Sequence, residues 1–213
     1  MILRRRPLRS LVWKAANVIY YHDALWQTTH WMGNPILKCP TDVWSYQEIL
    51  WETRPDLIIE TGTWNGGSAL FLATILDYIG VGRVISVDID AVKKRPNHPR
   101  IEYRTASSID PTLVEEIARE AEQEKRVMVI LDSDHSAEHV YKEMLVYGPL
   151  VTPGCYLVVE DSNVNGHPAA PKHGPGPMEA IRRFLPEHPD FIVDRRRERL
   201  GLTFNPSGYL LRH

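Results

Sequence analysis

From residue 57 onward the chain alternates short apolar runs with segments of helical periodicity, and this constrains its fold more than any other feature. Strand candidates are 57–61, 83–88, 100–104, 127–132 and 154–160; helix candidates are 66–79, 110–125, 136–148 and 177–186. The apolar runs are continuous, as in Leu57-Ile58-Ile59 and Val127-Met128-Val129-Ile130-Leu131. Strands buried on both faces read this way, because helices cover each side of a parallel sheet. Two further strands are predicted at 190–194 and 202–211, bringing the sheet to seven. The expected architecture is α/β: a Rossmann-like, mostly parallel seven-stranded sheet with helices on both faces. Before it, Thr41 or Asp42 is placed to cap a helix that Arg54-Pro55 stops near Thr53. A chain of 213 residues, 43% hydrophobic, suffices for one such domain. Residues 41–213 are read as that domain and 1–40 as an N-terminal arm.

The first strand candidate runs into Glu60-Thr61-Gly62-Thr63-Trp64-Asn65-Gly66-Gly67-Ser68. Ligands of open parallel sheets bind beyond the carboxyl ends of the strands, so this turn is a candidate ligand loop. Gly62 permits the turn, and Gly66 and Gly67 permit close backbone approach as the next helix begins. The Gly-x-Gly-x-x-Gly spacing of a dinucleotide pyrophosphate site is absent. Acid before the turn therefore suits a cofactor with a cationic amino group and no phosphate, and S-adenosylmethionine is such a cofactor. Asp88 ends the second strand, placed to accept hydrogen bonds from two ribose hydroxyls. Thr105-Ala106-Ser107-Ser108 follows the third strand and would flank an adenine. The cofactor set expected at this edge is Glu60, Thr61, Gly62, Thr63, Ser68, Asp88, Ser107 and the adjoining Asp132. The plain alternative is a tight strand–helix turn without a ligand.

Two more strand ends carry carboxylates, in Asp132-Ser133-Asp134-His135 and Glu160-Asp161. Neighbouring parallel strands end at one edge, so Asp132, Glu160 and Asp161 are expected to converge. Three clustered carboxylates raise one another's pKa, and a divalent cation removes that penalty. An all-oxygen set favours Mg²⁺, or Mn²⁺, over zinc. Asp134 competes with Asp132 as first ligand, but Asp132 lies closer to the strand end. The alternative is carboxylates on loops or helix caps. His135 sits at the same edge with a pKa suited to proton removal near neutrality, which makes it the candidate catalytic base. His139, one turn later, is expected on the helix surface.

The remaining segments carry weaker signals. Residues 162–176 lack helical or strand periodicity and directly follow Glu160-Asp161, so they are expected to form a substrate loop or lid, with Asn163, Asn165 and His167 as candidate contacts. Arg195-Arg196-Arg197-Glu198-Arg199 reads as a solvated connection. Leu8, Leu11, Val12, Ala15 and Ile19 recur at helical spacing beside basic residues, describing an amphipathic helix that packs on the domain or a partner subunit, with membrane-surface contact as the alternative. No run is long enough to span a bilayer. A formal net charge of −2 points to no nucleic acid partner. Cys39 and Cys155 are too few for a disulfide framework, which fits a cytoplasmic setting. The apolar bulk of the arm favours a homodimer.

These residues carry a family resemblance. The chain resembles the cephalosporin-hydroxylase-type family of methyltransferase-fold proteins through Gly33-Asn34-Pro35-Ile36-Leu37-Lys38, Tyr46-Gln47-Glu48-Ile49-Leu50, Pro55-Asp56-Leu57-Ile58-Ile59-Glu60-Thr61-Gly62, Val87-Asp88, Leu131-Asp132-Ser133-Asp134-His135-Ser136 and Glu160-Asp161. In its metal motif it is similar to Mg²⁺-dependent macrolide-sugar O-methyltransferases. The resemblance implies a class I methyltransferase fold and an S-adenosylmethionine-dependent O-methyltransferase acting on a sugar or oligosaccharide hydroxyl. It implies Asp132, Glu160 and Asp161 as Mg²⁺ ligands and His135 as base. More narrowly, 163–168 and 203–206 resemble family members of polysaccharide biosynthesis, among them the actinobacterial 1-O-methyltransferases of methylated mannosides. Hydroxylation is not expected, because a two-His-one-carboxylate iron face is missing. Competing readings are a non-catalytic cofactor or glycan sensor, which would have no need of a base, and a nucleotide-dependent oxidoreductase, which lacks its glycine fingerprint.

Overall fold

A computed structural model describes residues 6–91 and 94–213; the basic start at 1–5 lies outside them. The chain enters through helix α1 (Arg6–His22), a two-residue hairpin formed by β1 (His30–Trp31) and β2 (Asn34–Pro35), and α2 (Pro40–Thr53). There follow β3 (Leu57–Thr61), α3 (Gly67–Ile79), β4 (Arg83–Asp88), β5 (Ile101–Thr105), α4 (Pro111–Ala121), β6 (Val127–Leu131), α5 (Ala137–Tyr147) and β7 (Tyr156–Val159). The chain closes with α6 (Pro177–Phe184), β8 (Phe191–Val193) and β9 (Tyr209–Arg212).

One seven-stranded sheet runs in the order β5-β4-β3-β6-β7-β9-β8. The strands from β5 to β7 are parallel, and β9 pairs antiparallel with both β7 and β8. This is the Rossmann-like, mostly parallel architecture expected from the alternation. The order reverses between β3 and β6, which is where such sheets bind ligands.

Successive strand residues face opposite sides, so each apolar run feeds two cores. Leu57, Ile59, Val129, Leu131, Leu157 and Val159 pack with residues of α4, α5 and α6. Ile58, Met128, Ile130 and Val158 pack with residues of α2 and α3. This alternation also sorts the acids that follow each strand.

Three local expectations change. Asp42 does not cap α2, because Cys39 holds the N-cap position and Pro40 starts the helix. Asp42 is instead buried, accepting hydrogen bonds from the Thr203 hydroxyl (2.6 Å), the Phe204 amide (2.8 Å) and the Tyr209 hydroxyl (2.8 Å). The last strand begins only at Tyr209, since 203–205 are engaged by side chains rather than by a neighbouring strand. The arginine run is only partly solvated: Arg195, Arg196 and Arg199 are exposed, but Arg197 is buried with its guanidinium on Glu52 (2.5 Å) and the Tyr156 hydroxyl (2.9 Å). A buried arginine is stable there because its donors find fixed acceptors.

Candidate active site

A cavity of about 710 Å³ lies at the carboxyl edge of the sheet. Gly62, Asp88 and Ser107 line one part of it, and Asp132, His135 and Asp161 another. Tyr21, Trp26, Leu37 and Phe204 add an apolar wall. Gly62 has a φ of +85°, and a Cβ there would stand 1.8 Å from the carbonyl oxygen of Asp132. The β3 turn therefore crosses the β6 end backbone to backbone, and only glycine fits. Asp88 accepts from the amides of Trp64 (2.6 Å) and Asp90 (2.9 Å), which fixes its carboxylate at the cavity wall.

Glu60, Thr61, Thr63 and Ser68 are buried behind this wall rather than among the residues that line it. Glu60 accepts from the Ser86 hydroxyl at 2.6 Å, and its Oε1 is buried without a partner. Burial pushes the Glu60 carboxyl up, against the pull of Lys38. His139 is not a surface residue: it lines the cavity, with Nε2 3.1 Å from the Ser108 hydroxyl and 3.5 Å from buried Glu143. Its place follows from α5 starting at Ala137, directly beyond the β6 end.

Strand parity divides the acids. Glu60, Asp132 and Glu160 each follow by two residues an apolar side chain of the α2/α3 core, namely Ile58, Ile130 and Val158. The buried ammonium of Lys38 meets two of them: its Nζ donates to Asp132 Oδ2 at 2.5 Å and to Glu160 Oε2 at 2.6 Å. Tyr46 of α2 donates its hydroxyl to the other oxygen of Glu160. Burial opposes the Lys38 charge, but Asp132 and Glu160 outweigh it and hold the ammonium protonated. Burial and the neighbouring Asp132 push the Glu160 carboxyl up, against the pull of Lys38. Lys38 is a site residue that no motif in the sequence marks. The signal was present as a lone lysine in an apolar and aromatic segment, a setting in which lysine survives only beside acid.

Asp161, one residue on, faces away from Glu160. Its φ of +52° turns the chain out of β7, and its amide is held by Asn205 Oδ1 at 3.1 Å. Its Oδ2 lies 3.0 Å from His135 Nε2, and Asp132 Oδ1 lies 3.9 Å from the same nitrogen. Asp132, His135 and Asp161 each offer a ligand atom within 4.8 Å of the others. Asp134 stands apart, accepting from the Ser136 amide at 2.7 Å at the start of α5. Burial disfavours a charged His135, yet Asp161 overrides it and raises the imidazole to about 9. The same contact holds Asp161 below its ordinary value despite burial.

The 162–176 segment is a set of hydrogen-bonded turns. Its links include Asn165 to Ala170, Gly166 to Ala169 and Ala169 to Asn163, and Val164 and Ala169 are buried. Asn163 is buried with both side-chain polar atoms unpartnered, and His167 Nε2 lies 2.7 Å from Glu179. Neither they nor Asn165 are among the cavity-lining residues.

Residues 23–213 match the family described as Rhamnosyl O-methyltransferase/CmcI. The chain belongs to this family. It is an S-adenosylmethionine-dependent O-methyltransferase. A Mycobacterium leprae protein named rhamnosyl O-methyltransferase is 46% identical over 91% of this chain and 87% of its own length. A Mycobacterium tuberculosis protein of the same name is 44% identical over 91% of this chain and 82% of its own. Among solved structures, CmcI in an apo form (TM-score 0.68, 23% identity, 87% of this chain and 76% of that one) and CmcI with Mg and SAM (TM-score 0.68, 22% identity, 88% and 77%) share the fold. The cephalosporin-hydroxylase-type resemblance is thereby borne out at the level of family. These relatives carry the rhamnosyl name, where the narrower resemblance pointed to methylated mannosides. Among the described residues, no helix is long and apolar enough to cross a membrane.

Proposed function

We propose that this O-methyltransferase moves a methyl group from S-adenosylmethionine to a sugar hydroxyl, with a rhamnoside as the first acceptor to test. The observation that carries this reading is Asp132, His135 and Asp161 gathered on the wall of the same cavity that Gly62, Asp88 and Ser107 line. The relatives' rhamnosyl names support a deoxyhexose, and the apolar wall of Tyr21, Trp26, Leu37 and Phe204 suits the methyl-bearing face of such a sugar. A mannoside carries a hydroxyl on C6 where a rhamnoside has only a methyl group, and is the second acceptor to test.

The chain's own residues divide the work. Asp88 accepts from the ribose hydroxyls of the donor. The unpartnered Oε1 of Glu60 fits a cofactor with a cationic amino group, acting through the buried layer behind the turn. The donor set at the other end fits a hard divalent cation: Asp132 and Asp161 would hold it, while Glu160, with one oxygen on Lys38 and the other on Tyr46, stands outside the gathered set. A bound Mg²⁺ would supply a Lewis acid that lowers the pKa of a nearby sugar hydroxyl. His135 would take the hydroxyl proton on Nε2 after that nitrogen has given up to solvent the proton it shares with the Asp161 carboxylate at 3.0 Å. The sugar oxygen forms its bond to the methyl carbon as the carbon–sulfur bond breaks, and S-adenosylhomocysteine leaves with the electron pair. In-line positioning supplies much of the rate.

The experiment is an acceptor screen of rhamnosides and mannosides with labelled donor, with and without EDTA. Transfer that EDTA abolishes and Mg²⁺ restores is expected; full activity in EDTA would refute the metal. Metal titration of His135→Gln separates base from ligand. A base variant turns over slowly but binds Mg²⁺ as the parent does, whereas a tenfold loss of metal affinity would make His135 a ligand.

A further inference from the structure

Helix α1 is docked with its expected inner face outward. It meets the body through Trp13, Asn17, Tyr20 and Tyr21. The Trp13 ring fills the space beside Gly201, where a Cβ would come within 2.4 Å of it. Asn17 donates to the Gly201 carbonyl at 3.1 Å and accepts from the Thr203 amide at 3.1 Å. Tyr20 and Tyr21 pack on the Phe204 ring at 5.9 and 5.6 Å. On the opposite side, Leu8, Leu11, Val12 and Ile19 are 66%, 65%, 55% and 58% exposed, with exposed Ala15 between them. Their spacing makes one stripe about 16 Å long. A helix serving only the domain would bury this stripe and expose the polar side.

Charge identifies what covers it. Residues 1–22 contain Arg4, Arg5, Arg6, Arg9 and Lys14, and the first acid is Asp23. Two such helices paired stripe to stripe would offer these cations no counter-charge, since neither copy carries an acid before Asp23. A surface of anionic lipid headgroups complements both features at once, taking the cations at the headgroups and the aliphatic stripe at the acyl boundary. The family match begins at residue 23, so α1 lies outside the portion that the matched family accounts for.

We propose that the exposed stripe of α1 is an interfacial anchor that docks this enzyme on an anionic membrane surface. The helix lies in the plane of the interface, because it is too short and too polar to span. The stripe residues are absent from the cavity wall, so the anchor acts independently of the site chemistry.

The test is co-sedimentation of the full chain with vesicles of phosphatidylcholine alone or with about one-third phosphatidylglycerol. Binding to the anionic vesicles, loss in high salt, and no binding to the zwitterionic ones are expected. The double variant Leu11→Ser, Val12→Ser should bind at least tenfold more weakly while keeping the parent's melting temperature and its methyl transfer to a soluble acceptor. Lys14→Glu should weaken binding in the same direction. Absence of binding to anionic vesicles would overturn the proposal. So would a parent that elutes as a dimer and a Leu11→Ser, Val12→Ser variant that elutes as a monomer, because the stripe would then be a contact between copies.

Discussion

Replacing Lys38 with methionine removes the one ammonium that, among the described residues, touches both Asp132 and Glu160. At an effective dielectric of about 20, each contact near 3 Å is worth roughly 5–6 kcal/mol before solvation is counted. Desolvating the ammonium offsets several kcal/mol of that, so the intact cluster adds little net stability. Removing one partner is different, because Glu160 stays buried with only Tyr46 beside it. Breaking a buried pair costs about 3–5 kcal/mol. For a domain of this size that lowers the melting temperature by roughly 6–20 °C. The assay is thermal unfolding by circular dichroism in EDTA. Glu160→Gln should restore part of the loss in the Lys38→Met background, giving a coupling of about 1–3 kcal/mol in a double-mutant cycle. Mg²⁺ should stabilise Lys38→Met more than the parent, because the freed carboxylates gain a cation that binds only the folded state. A Lys38→Met protein within about 1 kcal/mol of the parent, with effects that add to those of Glu160→Gln, would refute the view of Lys38 as the buried counter-ion of this edge.

Further outcomes follow from the same geometry. His135 is raised to about 9 in the folded chain against about 6.5 unfolded. Its contribution, on the order of 1–3 kcal/mol, is therefore fully present below pH 6.5 and lost as pH rises toward 9. Urea titrations of the metal-free protein should show this slope, and His135→Gln should flatten it; equal slopes would remove the Asp161 contact as its cause. Asp88→Ala should weaken S-adenosylhomocysteine binding at least tenfold by calorimetry while Mg²⁺ affinity stays put, and unchanged cofactor affinity would remove Asp88 from the ribose. Gly62→Ala should cost about 3 kcal/mol or more, because the new methyl meets the Asp132 carbonyl at a φ of +85°. A variant with the parent's melting temperature and activity would contradict that close approach.

The sheet was legible because its cause is local. Leu57–Ile59 and Val127–Leu131 are apolar at every position, and no alternating pattern competes with a strand buried on both faces. The turn at Gly62, the Asp88 end and the Asp132–His135 spacing were legible for the same reason: each is a short motif at a strand end. Arg197 was not legible, because a charge run looks solvated until Glu52 and Tyr156 are known to face it. The place of His139 is not legible either, because helix periodicity alone does not say which side of α5 meets the cavity.

Local residue patterns specify the parallel α/β sheet, its acid-tipped carboxyl edge and the family to which those motifs belong. How the acids divide is settled in three dimensions, because adjacent residues at a strand end face opposite ways. That parity sends Glu160 to Lys38 and Tyr46, and Asp161 to His135. No spacing in the chain reveals that Lys38, 94 residues before Asp132, would carry its ammonium between two strand ends. Three-dimensional packing made that choice, since a buried lysine is tolerated only where acids already wait for it.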